Sequence, residues 1–288
     1  MSDKRPGRIA FYAAILFMLF LLVLPLIAFV INAFAVRWFY PQFVPLEWSL
    51  DAWQRIQLIP PEGQRDLASW LALLGRSQVM NSMGLSLLIG GGVTLISIII
   101  GLPAARALGM NQFRGKRIIE FLILAPTIVP GIAFSLGLNI NFIRWGLSGT
   151  AFGVALVHLV PVMPYVVLTL SGVYANYNAE FESQARTLGA GPIRTFWYVT
   201  LPAIMPGIIV AGLFAFLVSW SQYLLTFLIG GGRVITMPLL LFSTASGGNN
   251  AVTAAMSLIF IAPAVFTLLF TSRYLSGNSG AVGGFGRI

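Results

Sequence analysis

Six long stretches without a single charge set the terms for this chain. No Asp, Glu, Lys or Arg occurs between Arg8 and Arg37, Arg76 and Arg106, Glu120 and Arg144, Arg144 and Glu180, Arg194 and Arg233, or Arg233 and Arg273. The intervals hold 28, 29, 23, 35, 38 and 39 residues, two-thirds of a 288-residue chain. Each exceeds the ~20 apolar residues a helix needs to cross ~30 Å of hydrocarbon. Composition excludes the soluble alternative: only 9% of residues are charged and 58% are hydrophobic, so the chain cannot clothe itself in the roughly 25% charge of ordinary globular proteins. The expected fold class is an all-α polytopic membrane protein.

Six transmembrane helices fit the six runs, at about 9–35, 82–108, 118–138, 151–174, 204–228 and 251–270. The first run follows Lys4, Arg5 and Arg8, and Ala33-Phe34-Ala35 imitates a signal cleavage site. Its apolar stretch is far longer than the ~7–15 residues of a signal core, so it reads as a retained span. An even number of spans puts both termini on one side. With the termini inside, the inner segments hold Lys4, Arg5, Arg8, Arg106, Arg114, Lys116, Arg117, Arg186, Arg194, Arg273 and Arg287. The outer segments hold only Arg37, Arg55, Arg65, Arg76, Arg144 and Arg233, offset by Glu47, Asp51, Glu62 and Asp66. Cytoplasmic loops are the ones rich in Lys and Arg, so both termini are expected in the cytoplasm. The net charge of +9 is thereby explained by orientation rather than by nucleic acid.

The longest outer segment, 36–81, carries Trp38, Trp48, Trp53 and Trp70, as expected for interfacial anchoring or a small folded cap. Gly84, Gly90, Gly91, Gly92 and Gly101 in the second span, with Gly207 and Gly212 in the fifth, read as points of close helix approach. Pro103, Pro126, Pro130, Pro161, Pro164 and Pro263 read as kinks.

Several chemistries are missing. With no cysteine and a single histidine, His158, the chain has no disulfide, no thiolate zinc site and no multi-histidine metal site. A phosphate-binding P-loop fails at both ends: Gly115-Lys116 is followed by Arg117, and Met110 stands where the first glycine belongs. No acid lies inside a span to carry protons or to orient His158 for hydrolysis. His158 reads as a neutral histidine bonded to a neighbouring helix. The chain is not expected to be an enzyme or to bind a cofactor, and energy for uphill transport would have to come from another subunit.

The inner segment 178–202 is the most patterned. Asn178 is placed to cap a short helix with Glu180 and Glu182 in its first turn. Phe181, Ala185 and Leu188 share an apolar face, and Glu182 and Arg186 form an i, i+4 pair on the polar one. Gly189 stands where helices end in a left-handed residue and Pro192 where the next begins. Physical reasoning alone leaves two readings open: a knob for a partner, or an interfacial helix lying on lipid.

This segment resembles the EAA loop, E-A-A-x3-G-x9-I-x-L-P, of the permease subunits of type I ABC importers. Ala185, Gly189, Leu201 and Pro202 match, Val199 replaces the isoleucine, and Ser183 and Gln184 depart from the Glu-Ala of the pattern. An acid stands one place earlier, at Glu182. Asn81-Ser82 and Thr236-Met237-Pro238 also resemble family positions. The resemblance implies a MetI-like five-helix core at 80–276, preceded by an N-terminal helix and periplasmic segment at 1–79 and followed by a cytoplasmic tail at 277–288. It implies a loop, with Phe181, Glu182, Ser183, Ala185, Arg186, Leu188, Gly189, Leu201 and Pro202, that couples to a cytoplasmic ATPase. Implied partners are two ATPase subunits, which bind ATP and Mg, a second permease subunit, and a periplasmic or lipid-anchored solute-binding protein in a bacterial inner membrane. The rival expectation is a stand-alone secondary transporter or channel.

For the solute pathway the candidates are Ser219, Trp220, Ser221, Gln222 and Tyr223, the densest polar and aromatic cluster in any span, with Ser135 and Asn139 on the third. The alternative for this cluster is interhelical hydrogen bonding, with Trp220 anchored at the outer interface. In this region the chain resembles the polyamine, ferric iron, thiamine and oxyanion branch of the family.

Overall fold

The computed structural model describes residues 5–36, 38, 42, 45–63 and 66–275. The tail at 277–288 and the charges of Lys4, Arg37, Arg65 and Arg287 lie outside the described residues, as do the side chains of Arg5, Arg8 and Arg273. Among the described residues the regular secondary structure is helical, with one isolated antiparallel bridge, Ala35–Trp48. The helices are α1 (Arg5–Phe34), α2 (Asp51–Arg55), α3 (Leu67–Arg76), α4 (Gln78–Met110), α5 (Lys116–Ile128), α6 (Gly131–Arg144), α7 (Ala151–Ala175), α8 (Glu180–Thr187), α9 (Pro192–Thr195), α10 (Leu201–Trp220), α11 (Leu224–Gly230), α12 (Met237–Ser246) and α13 (Asn250–Leu275). A π-helical turn, Phe196–Thr200, joins α9 to α10.

Five stretches are long and apolar enough to cross a membrane: Phe11–Phe34, Gln78–Met110, Ala151–Ala175, Pro192–Trp220 and Asn250–Ser272. The third expected span, 118–138, is not one helix. It divides into α5 and α6, bent by 97°. The cause is Pro130: a residue before proline is pushed out of the helical region, and Val129 is extended at φ −72°, ψ 134°. The fifth span also differs from 204–228. It starts earlier, at Pro192, and stops at Trp220; the Ser221 hydroxyl beyond it donates to the Leu217 carbonyl at 2.9 Å.

The chain forms two compact units, one of residues up to Ser82 with Leu240–Ala262, the other of Met83–Leu239 with the chain from Pro263. In the first, the segment after α1 folds back on it. The Ser49 N–H donates to the Phe34 carbonyl at 2.8 Å, Phe34 stacks on Trp53 with centroids 5.4 Å apart, and the Ser77 hydroxyl donates to the Ile56 carbonyl at 3.1 Å.

In the second unit α7 is the axis. Its Val154, Val157, Val166 and Leu170 are buried in one apolar cluster with Ile89 and Val93 of α4 and with Ile204, Ala211 and Ala215 of α10. Small residues bring these helices together. A Cβ on Gly101 would stand 2.7 Å from Val166 Cγ1, and one on Gly109 2.5 Å from the Ser171 carbonyl oxygen. One on Gly207 would overlap Val173. Gly84, Gly91 and Gly92 do not serve this purpose within the chain, since a Cβ there meets nothing within 4 Å.

Candidate functional site

The loop between α7 and α10 is built as the residue types dictate, with one shift of register. Helix α8 is capped at Ala179, and Asn178 stands one place further out, its Oδ1 accepting from the Glu180 N–H at 2.9 Å. The C-terminus closes with two bonds, Gly189 N–H to the Arg186 carbonyl at 2.9 Å and Ala190 N–H to the Ala185 carbonyl at 3.0 Å. That paired pattern needs a left-handed residue at the second-to-last position, and Gly189 supplies it with φ +87°. Pro192 then opens α9 at its first position.

The π turn has its own cause. Pro202 has no N–H to give and its ring crowds the carbonyl four residues back. Widening the preceding turn relieves the clash, so the Leu201 N–H donates to Phe196, five residues back.

Within this frame the apolar and acidic faces of α8 are exchanged relative to solvent. Phe181 is 50% exposed and Leu188 89%, with Ala185 half-buried between them. Ser183 and Arg186 are exposed, Gly189 and Pro202 also, and Leu201 is half-buried. Glu182, expected on the polar face, is only 5% exposed. Its Oε2 accepts from Arg106 Nη2 of α4 at 2.7 Å, its Oε1 accepts from the Thr200 hydroxyl at 2.8 Å, and Arg186 Nη2 lies 3.6 Å away. Burial pushes the Glu182 carboxyl upward, but the hydrogen bonds from Arg106 and Thr200 and the charges of both arginines outweigh it, and the net shift is downward. Arg106 and Thr200 carried no motif signal in the sequence, since arginines bound most of the uncharged runs.

The polar cluster at the end of α10 is divided by the fold. Ser219 and Trp220 are buried, Gln222 and Tyr223 half-buried and Ser221 exposed. Trp220 stacks on Phe216 with centroids 5.7 Å apart, and Tyr223 on Phe227 at 5.8 Å. Ser135 and Asn139 sit on α6; Ser135 bonds the Gly131 carbonyl, and Asn139 buries Oδ1 without a partner. Ser219 meets His158 instead: His158 Nδ1 is 3.0 Å from the Ser219 hydroxyl and Nε2 3.0 Å from that of Thr226 on α11. The Thr226 proton is committed to the Gln222 carbonyl at 2.9 Å, so Thr226 accepts from Nε2–H and Ser219 donates to Nδ1. A small enclosed gap beside this histidine is lined by Ser86, Ser219, Gln222 and Thr236, and the Met237 N–H donates to the Ser86 hydroxyl at 2.7 Å. Thr226 and Ser86 were invisible in the sequence, because isolated hydroxyls in apolar spans are ordinary.

The sequence pattern of the family described as "Binding-protein-dependent transport system inner membrane component" matches residues 97–275. The chain belongs to that family. Among its relatives, the putrescine transport system permease protein PotI of Escherichia coli (strain K12) is 30% identical over 214 residues, covering 72% of this chain and 76% of that protein. The molybdenum transport system permease protein ModB of Mycobacterium tuberculosis (strain ATCC 25618 / H37Rv) is 29% identical over 219 residues, 71% of this chain and 83% of the relative. A chain of a bacterial ABC transporter involved in the import of the acidic polysaccharide alginate shares the fold. It aligns over 96% of this chain and 99% of its own with a TM-score of 0.69 at 17% identity. This permease is thus a multi-pass inner-membrane component of an importer.

Proposed function

We propose that the permease supplies half of an alternating-access pathway and that its loop at 178–202 is the docking knob for a cytoplasmic ATPase that binds ATP and Mg. One observation carries the reading: Phe181 and Leu188 are held out of the protein on a short helix that left-handed Gly189 closes. Exposed apolar side chains on a short, pinned helix are what a helix-in-groove contact uses. The partners of this reading are two ATPase subunits, a second permease subunit and a periplasmic or lipid-anchored binding protein. Both termini face the cytoplasm, the core runs over 80–276, the segment at 1–79 precedes it and the tail is 277–288.

Solute passes beside the outer end of α10, where Ser221, Gln222 and Tyr223 offer polar and aromatic contact, with Ser135 and Asn139 on α6. The solute class we infer is that of polyamines, ferric iron, thiamine or oxyanions, supported by relatives named for putrescine and molybdenum transport. The test is purification of the assembled transporter. Phe181→Glu and Leu188→Glu are expected to abolish co-purification of the ATPase and ATP-dependent uptake, while the permease still inserts. Solute flux through the purified chain alone in liposomes, without an ATPase, would overturn the reading.

A further inference from the structure

Glu182 belongs to the loop but does not face outward with it. One carboxylate, buried at 5% exposure, ties together three helical segments: α8 that carries it, α4 through Arg106 at 2.7 Å, and the π turn at the head of α10 through Thr200 at 2.8 Å. Thr200 is itself buried, at the last position of that turn. Arg186, on the next turn of α8, adds a second positive charge at 3.6 Å. An unpaired buried charge is among the least tolerable features of a protein interior, so this carboxylate holds its place only while Arg106 and Thr200 stay where they are.

The two anchors are not loose ends. Arg106 lies one turn from Gly109, whose backbone packs on the Ser171 carbonyl and Tyr174 Cβ of α7 with no room for a methyl group. Thr200 lies two turns from Gly207, which packs on Val173 of the same helix. The inner ends of α4 and α10 are therefore both set against α7 without slack, and the Glu182 carboxylate fastens α8 to both at once. A push on the exposed apolar face of α8 has one short, charged path into the spans.

We propose that Glu182 is a positioning residue that passes movement of the loop to α4 and α10, rather than a contact to the ATPase. The proposal rests on the reading of 178–202 as the docking loop, and goes beyond it by assigning the shifted acid of the motif an internal role. Its recognition chemistry is a fork of donors, one guanidinium and one hydroxyl, on the two oxygens of one carboxylate.

The experiment uses the complete transporter, permease with its ATPase subunits, in proteoliposomes. Glu182→Gln keeps an oxygen for Thr200 but removes the charge that holds Arg106. Thr200→Val removes the hydroxyl and keeps the shape. Arg106→Glu with Glu182→Arg exchanges the charges. In Glu182→Gln the ATPase co-purifies at the wild-type ratio and hydrolyses ATP, while solute taken up per ATP falls about tenfold; Thr200→Val gives a loss of roughly threefold in the same ratio. The exchanged pair recovers a substantial part of that loss. A wild-type transport ratio in Glu182→Gln overturns the proposal, and so does loss of the bound ATPase in that variant, which would make Glu182 a docking contact. Disappearance of all three variants from the membrane also overturns it, making Glu182 a folding residue only. Leu188→Glu run in parallel separates the two readings: if it leaves ATPase binding and uptake intact, the docking loop itself is wrongly assigned, whatever Glu182 does.

Discussion

Gly207 of α10 and Val173 of α7 leave no space between them for a single methyl group. Gly109 of α4 stands in the same relation to Ser171 and Tyr174 one turn away on α7. Three spans thus meet backbone to side chain, near the α7 and α10 ends that the segment carrying Phe181 and Leu188 connects. In lipid such contacts matter more than apolar area, because tails solvate leucine as well as another helix does, and association falls to close packing and hydrogen bonds.

The consequence for substitution is direct. Gly207→Ala forces its Cβ into Val173, and overpacking of this kind costs about 1–3 kcal/mol. Val173→Ala alone removes two methyls from a half-buried position and costs less. Combined, the two changes fit each other, so the double variant is expected to unfold closer to the wild-type temperature than Gly207→Ala does. A double-mutant cycle on thermal unfolding in detergent measures the coupling; strictly additive losses would show that the contact at Gly207 is not what holds α7 to α10.

At Gly189 the constraint is conformational instead of steric. A Cβ there meets nothing within 4 Å, yet φ is +87°, where an ordinary L residue is strained by roughly 1–2 kcal/mol. Asparagine tolerates this region better than alanine, and β-branched valine worst. Uptake by the assembled transporter is expected to fall in the order Gly, Asn, Ala, Val. Equal loss for Asn and Val would point to side-chain bulk against a partner, not to the turn.

Much of this is legible in the amino-acid sequence. Uncharged runs located the spans because hydrocarbon penalises charge along the whole length of a helix, and the loop's turns were legible because Gly189 and Pro192 act through local backbone rules. What escaped depends on neighbours distant in sequence. The break at Val129 was hidden because Pro130 was counted as one more kink, although its effect on the preceding residue turned a span by 97°. The inward turn of Glu182 was hidden because helical spacing places it beside Arg186 and says nothing of Arg106, 76 positions away. The end of α10 at Trp220 was likewise hidden, because the uncharged run continues past it without a break.

Acid should loosen the loop only well below neutrality. Glu182 binds its proton more weakly when folded, its carboxyl lying below the ordinary value of 4.5. An unfolded or undocked loop therefore takes up more protons at mildly acid pH, so the stabilisation is complete above that ordinary value and is lost as pH falls through the lower, folded one. The difference in unfolding temperature between the wild type and Glu182→Gln is expected to be constant from neutrality to about pH 5 and to close at more acid pH. A gap that closes between pH 6 and 7 would show that a different group, not this carboxylate, sets the dependence.

His158 gives the last expectation. Its ring is bonded at both nitrogens, accepting from Ser219 and donating to Thr226, and it joins α7 to both α10 and α11. Removing one member strands a buried partner, which costs about 1–3 kcal/mol, whereas replacing all members by apolar groups of similar shape is close to neutral. Ser219→Ala and Thr226→Val should therefore each lower the unfolding temperature, while the triple variant with His158→Leu should regain part of the loss. Uptake measured on the same proteins tests whether the node only braces the helices. If the triple variant is as stable as the wild type and transports at the wild-type rate, His158 is a brace; if it is stable but inactive, the histidine also acts on solute, and the alignment of Ser219 and Gln222 beside the enclosed gap becomes part of the pathway.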